Sequence, residues 1–266
     1  MKPILFKTEM VKAILDGRKT VTRRVVKPTP SKHARLELLG DRRHAMDVSI
    51  EIPGPNDHRI YTPPYLPGDT LYVRETWQVW RAHRYEANAD IQFKAGGDGV
   101  RVCFANGGTD SIDRGDYDSF VEKWYPNGKW NPSIHMPKEA ARIFLRVERV
   151  RAEHLQKAFF EPICPILEVQ AEGIDIGDHC RRCIDNYGEP CCVDTIDEDG
   201  SNLYDGECGM LDDPRDDFAR LWDSTIKPAE LKRYGWTANP WVWVIEFERC
   251  EKPEDEVLKE GEIRPC

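Results

Sequence analysis

The chain has 266 residues, 40% of them hydrophobic and 32% charged, which lies within the globular range and suffices for one to two domains with a buried core. Its longest apolar run, Trp241 to Ile245, is far short of the ~20 residues of a membrane-spanning helix, and no apolar stretch near Met1 has the pattern of a secretory signal. Membrane and secreted classes are therefore not expected, and a cytoplasm is the expected compartment. The net charge of −9 argues against nucleic-acid binding by bulk attraction, but it averages two unlike regions. Residues 1–45 hold twelve Lys/Arg against four Asp/Glu, and residues 161–217 hold seventeen acidic side chains against three Arg. A basic N-terminal part suits phosphate and an acidic stretch suits another partner; solvated surface is the alternative for both.

Pro3 to Phe6 reads as a short edge strand. Thr8 then offers an N-cap with Glu9 in the first turn, Met10, Val11, Ile14 and Leu15 fall on one helical face, and Gly17 supplies the stop. Thr20 to Val26 is a β-branched strand ended by Pro28. Residues 28–68 show no sustained period and predict a long connection with at most short strands. Pro67-Gly68-Asp69 is a turn that launches a strand over Thr70–Glu75, and further strands are predicted at Val100–Phe104 and Ala141–Val150. Glu153–Phe160 is a short helix candidate. The cysteines, acids and glycines of 161–213 break the pattern as an insertion does. Pro214 at a first helical position opens a helix through Trp222, and Trp241–Phe247 is strongly strand-like. The tail from Glu251 is charged and reads as mobile.

Three segments carry candidate chemistry. In Gly17-Arg18-Lys19-Thr20-Val21-Thr22-Arg23-Arg24 the pleat puts Thr20, Thr22 and Arg24 on one face and Val21, Arg23 and Val25 on the other, with Lys19 at the turn. A partly buried Lys acts as a base, and a Thr hydroxyl beside it becomes a nucleophile; a basic solvated edge is the alternative. In Pro67 to Trp77 a strand ends in Arg74-Glu75, a possible internal ion pair. Trp77, Trp80 and Tyr85 serve either as a stacking platform for a base or as core. In Gly235 to Trp243, Asn239 before Pro240 fixes an extended entry into the last strand, where it has the chemistry to hold a loop through backbone hydrogen bonds.

These segments together, in the order Ile14–Arg24, Gly68–Trp77, Phe218–Trp222 and Asn239–Phe247, resemble the ASCH domain, a member of the PUA-like superfamily, in the long form common in phage and prophage genomes. The resemblance runs from about residue 3 to 249, with unmatched stretches between. It implies an α+β fold: a PUA-like small β-barrel with flanking helices, residues 1–250 as a single domain, 161–213 as its Cys-rich acidic insertion and 251–266 as a tail. It also implies a cleft that recognises RNA, a short single-stranded nucleic acid or a modified nucleobase. Arg18, Arg23 and Arg24 would meet phosphate or a base edge, Trp77 would stack, and Arg74 and Asn239 would join the binding residues. One small bacterial protein of this type hydrolyses N4-acetylcytidine with a Lys and a Thr in a Gly-Arg-Lys-Thr-x-Thr segment and a later Glu. Lys19 and Thr22 match that segment, Glu172 falls where the Glu belongs, and Glu75 is the competing carboxylate. Other such proteins act on RNA itself. A third implied role is a phage accessory protein that binds a host protein through the acidic insertion.

Nine cysteines without a secretory signal point to thiols or metal ligands rather than a disulfide framework. Cys180 and Cys183 form a Cys-x-x-Cys pair followed by Cys191, Cys192 and Cys208, soft donors enough for a closed structural zinc site. The preferred ligands are Cys180, Cys183, Cys192 and Cys208, with Cys191 the substitute and free thiols or redox chemistry the alternatives. Cys103, Cys250 and Cys266 are isolated and receive no role.

Overall fold

The N-terminal pattern forms as the residue types dictate. The short apolar run becomes strand β1 (Lys2–Leu5), Thr8 opens helix α1 (Thr8–Leu15), and the helix stops before Gly17, whose φ of +75° an L side chain adopts only with strain. Val11, Ala13 and Ile14 are the residues α1 buries. The computed structural model describes residues 1–30, 35–38, 48–51, 61–104, 114–125, 128–157, 165–174 and 214–253. They show a mixed α+β architecture whose strands close no barrel among the described residues, and it divides into two compact units.

The first unit comprises Met1–Leu15, Pro67–Glu148 and Phe247–Cys266. The turn at Gly68, with φ of +87°, feeds β5 (Thr70–Arg74), which runs parallel to β1 with Lys2 opposite Leu71. β5 pairs antiparallel with the start of β9 (Phe144–His154), Thr70 opposite Arg146. Beyond β5 a meander forms from β6 (Trp77–His83), β7 (Asn88–Phe93) and β8 (Val100–Cys103), with a bulge in β6 between Val79 and Arg81. Helix α2 (Arg114–Trp124) sets its apolar positions on this sheet. Trp77 lies 5.9 Å from Phe120 and 5.4 Å from Trp124 between ring centroids and is fully buried, so it belongs to the core and is not a platform for a base. Trp80 and Tyr85 are exposed.

The second unit comprises Asp16–Leu66 and Arg149–Glu246. β2 (Val21–Val25) pairs antiparallel with β10 (Trp241–Cys250), from Val25 opposite Val242 to Val21 opposite Glu246. β3 (Arg35–Leu38) and β4 (Val48–Glu51) form a separate antiparallel pair in the long connection. Helices α3 (Pro165–Ala171), α4 (Pro214–Asp223) and the single turn α5 (Leu231–Tyr234) complete the unit. Its core gathers Val21, Leu155, Val169, Phe218, Trp222, Val242 and Val244. β9 and β10 each begin in one unit and end in the other.

Several expectations change. The strand predicted at Ala141–Val150 begins later and runs through His154, so Glu153 is a strand residue and does not start a helix. The stretch from 161 contains the regular helix α3, whose Val169 enters the core. The tail beyond 253 and the cysteines of the acidic insertion lie outside the described residues. Cys103 is disulfide-bonded rather than an isolated thiol, while Cys250 is free. Among the described residues no helix is long and apolar enough to cross a membrane.

Candidate functional site

Two short segments far apart in sequence build the site of the second unit. α3 carries Glu168, and Glu172 follows four residues later, so both carboxylates emerge on the same side of the helix. Gly173, at φ of +90°, turns the chain out of the helix. The amide of Thr20 then donates to the carbonyl of Ala171 at 3.0 Å, tying the start of β2 to the end of α3. Arg18 secures the same junction, donating to the Gly173 carbonyl at 3.1 Å and to Asp16 at 2.9 Å.

Lys19 is held in this junction. Its Nζ donates to the Val21 carbonyl at 2.6 Å, to the Glu172 carbonyl at 2.7 Å and to Glu172 Oε2 at 2.8 Å. Three acceptors match the three protons of an ammonium. Arg23 points to the Val21 face of β2, as the pleat requires, and donates from Nη1 to Glu172 Oε1 and from Nη2 to Glu168 Oε2, each at 2.8 Å. Glu153 Oε1 stands 3.5 Å from the same Nη2. Arg151 bridges Glu153 and Glu246 at the margin. Lys19, Arg23 and Glu172 are all buried.

Burial pulls the Lys19 ammonium below its ordinary 10.5, more strongly than Glu172 supports it, with Arg24 and Arg23 adding to the fall. Burial alone would raise Glu172, yet Lys19 and Arg23 together outweigh it and hold the carboxyl below 4.5. Arg23 is likewise opposed by burial and raised on balance by Glu172 and Glu168. Glu172 shares its charge between two cations, and only the lysine can release its proton, because a guanidinium stays charged in a protein. The arrangement is therefore a fixed carboxylate–guanidinium pair with a proton-labile amine in contact with it.

The remaining candidates divide sharply. Thr22 is buried, opposite Ile245, and by the pleat lies on the other face of β2 from Arg23; no hydrogen bond joins its hydroxyl to Lys19 or Glu172. Arg18 and Arg23 are engaged internally, which corrects the expectation that they meet phosphate. Arg24 is half-buried opposite Trp243. In the first unit Arg74 donates to the Ile134 carbonyl at 3.1 Å and does not pair with Glu75. Glu75 instead receives Arg142 in a bidentate grip, at 3.0 Å from Nε and 2.9 Å from Nη2. Burial raises the Glu75 carboxyl, and Arg142 only partly offsets this. Asn239 sits in the left-handed region at φ of 45°, accepts the Gln156 amide on Oδ1 at 2.8 Å, and its carbonyl meets His154 Nδ1 at 3.0 Å. Cys180, Cys183, Cys192 and Cys208 lie outside the described residues, among which no group of three or more His, Cys, Asp or Glu could hold a metal ion.

Sequence reasoning missed Glu168, Glu153 and Arg142. Glu168 had a usable signal, its four-residue spacing from Glu172. No family model matches the chain, and no curated protein or solved structure is significantly similar to it.

Proposed function

We propose that the second unit is an amide hydrolase of the ASCH type, acting on an N4-acylated cytosine, with Lys19 and Glu172 as its proton-handling pair. One observation supports this reading above the rest: a buried lysine of lowered proton affinity touches a carboxylate 153 residues away in sequence, the same two side chains that the motif resemblance pairs. The strands of the described residues would on this reading belong to a PUA-like barrel. Binding alone is less well supported, since Arg18, Arg23 and Trp77 are consumed by internal contacts.

In the reaction, unprotonated Lys19 takes the proton of the attacking hydroxyl as its oxygen bonds to the acyl carbon. The C–N4 bond breaks, and Lys19 returns the proton to the departing amine. Water then cleaves the acyl ester, giving cytosine and a carboxylic acid. Glu172, neutralised by Arg23, holds Lys19 in place throughout. The resemblance assigns the hydroxyl to Thr22, which the pleat sets on the face of β2 away from Arg23, so a shift at the start of β2 is needed for it to reach Lys19.

The test is incubation of the purified protein with N4-acetylcytidine and chromatographic detection of cytidine. Turnover by the wild type, reduced at least about 100-fold in Lys19→Ala, is the expected result. A folded wild type without turnover overturns the reading. Turnover that survives Thr22→Ala removes Thr22 from the nucleophile's role and leaves Lys19 activating water.

A further inference from the structure

A cavity of about 240 Å³ opens in the second unit where α5 meets the start of β10. Lys232 and Arg233, neighbours on α5, line it together with Thr29, His154, Asn239 and Trp241, and none of its described lining residues is Asp or Glu. Both charged side chains among its described lining residues are cations. Arg233 uses Nε on Thr29 Oγ1 at 2.9 Å, which fixes the guanidinium and leaves its two outer nitrogens for a ligand. His154 must donate from Nδ1, because its partner there is the Asn239 carbonyl. The ring of Trp241 lies 4.2 Å from that of His154, and its indole N–H is buried without a hydrogen-bond partner among the described residues. A buried donor without an acceptor is costly, and Trp241 is one of the residues that line the cavity. Asn239 holds its left-handed backbone conformation at the same wall, so the cavity is shaped by a strained residue as well as charged.

We propose that this cavity is a phosphate-binding site, filled by one backbone phosphate of a single-stranded nucleic acid. A planar and a point cation side by side in one cavity suit an oxyanion with several acceptor oxygens. The strand register fixes the wider substrate class. Trp241 lies beside Val26, whose amide donates to its carbonyl, whereas Lys19 precedes Val21, which faces Glu246 at the far end of the pairing. Five strand residues separate those ends, roughly 17 Å. That is farther than a phosphate stands from its own base. Resting on the hydrolase reading, a base at Lys19 and a phosphate in this cavity belong to different nucleotides of one strand, so an oligonucleotide carrying the acylated base gains a contact that the free nucleoside lacks.

The experiment is equilibrium binding of a short single-stranded oligoribonucleotide to the full chain across a range of salt, with inorganic phosphate as competitor. The double variant Lys232→Ala/Arg233→Ala changes exposed side chains, and its melting temperature confirms that it is folded. We expect binding about tenfold or more weaker, with the slope of log K against log salt reduced by about 0.7, the value for one lost phosphate contact on a single strand. Arg220→Ala, an exposed cation elsewhere on α4, leaves affinity unchanged. Equal affinity of the double variant and wild type overturns the proposal, as does absence of oligonucleotide binding by the wild type. Failure of amide hydrolysis with this binding intact overturns only the hydrolase reading; hydrolysis without the binding overturns only the phosphate site.

Discussion

Each unit buries a glutamate against an arginine, but the two carboxylates are shared differently. In the first unit Glu75 takes both arms of Arg142, and the guanidinium turns its remaining protons to the carbonyls of Asp98 and Gly96 at 2.8 and 2.7 Å while lying 4.1 Å from the centre of the Phe93 ring. One cation meets one anion and backbone carbonyls complete the shell. In the second unit one arm of Glu172 holds Arg23 and the other holds Lys19, and Glu168 and Glu153 flank the same arginine. Pairing with arginine alone locks a charge in place. Adding a lysine to an already neutralised carboxylate creates a cation that can give up its proton, and that difference separates a structural clamp from a site with acid–base capability.

The largest effect that breaks this contrast is Glu172→Gln. It strips two buried cations of their shared anion, and leaving buried charge uncompensated costs about 3 to 5 kcal/mol. Urea denaturation should show that loss. Lys19→Met, which removes a cation yet leaves Glu172 with Arg23, should cost less. If the two variants are equally destabilised, the carboxylate is not shared in the way the geometry describes. Glu75→Gln comes next. Arg142 keeps two backbone carbonyls and its aromatic neighbour, so about 1 to 3 kcal/mol is expected, the scale of a buried polar group losing its partner. A cost above that of Glu172→Gln would invert the comparison.

Much of this frame was legible in the sequence because it is local. The 3.6-residue pattern from Thr8, the glycine stop at Gly17, the β-branched run after Lys19 and the Trp-Val alternation of β10 each specify their element within a few residues. β6 and β7 escaped because the bulge at Val79/Arg81 shifts the register of β6 and because Trp77 to Tyr85 mixes core and exposed aromatics. α2 escaped although Tyr117, Phe120, Val121 and Trp124 fall at helical spacing, since the segment is otherwise charged. In the site, the pleat predicted that Arg23 and Thr22 face opposite ways, but nothing local reveals that the Arg23 face is occupied by carboxylates from α3. Phosphate-binding arginines and ion-paired arginines have the same spacing; only the long-range contact distinguishes them. The bond between Lys19 and Glu172 is equally invisible to periodicity, and only the motif resemblance placed the two together.

The smallest effect sharpens the comparison most, because it changes sign between the units. Glu172 is held below its ordinary 4.5, so in acid the native chain binds fewer protons than the unfolded one; the stability this group contributes is complete above 4.5 and is lost as pH falls through the lowered value. Glu75 is held above 4.5, so the native chain keeps a proton that the unfolded chain releases, and its contribution diminishes as pH rises from 4.5 through the raised value. Each slope is at most about 1.4 kcal/mol per pH unit. Denaturation of the wild type, Glu172→Gln and Glu75→Gln across acid to neutral pH reads both at once. On acidification the wild type should lose its advantage over Glu172→Gln and gain relative to Glu75→Gln. Two differences moving in the same direction would mean that the carboxylates share one environment, and the distinction between clamp and proton-handling site would fall. Lys19 extends the test upward in pH: held below 10.5, it makes the native chain bind fewer protons than the unfolded one between its lowered value and 10.5, so wild-type stability relative to Lys19→Met should rise with pH in that window. On the proposed hydrolase reading the same deprotonation would supply the base, and the rate of N4-acetylcytidine hydrolysis should climb over the part of that window in which Lys19 itself loses its proton.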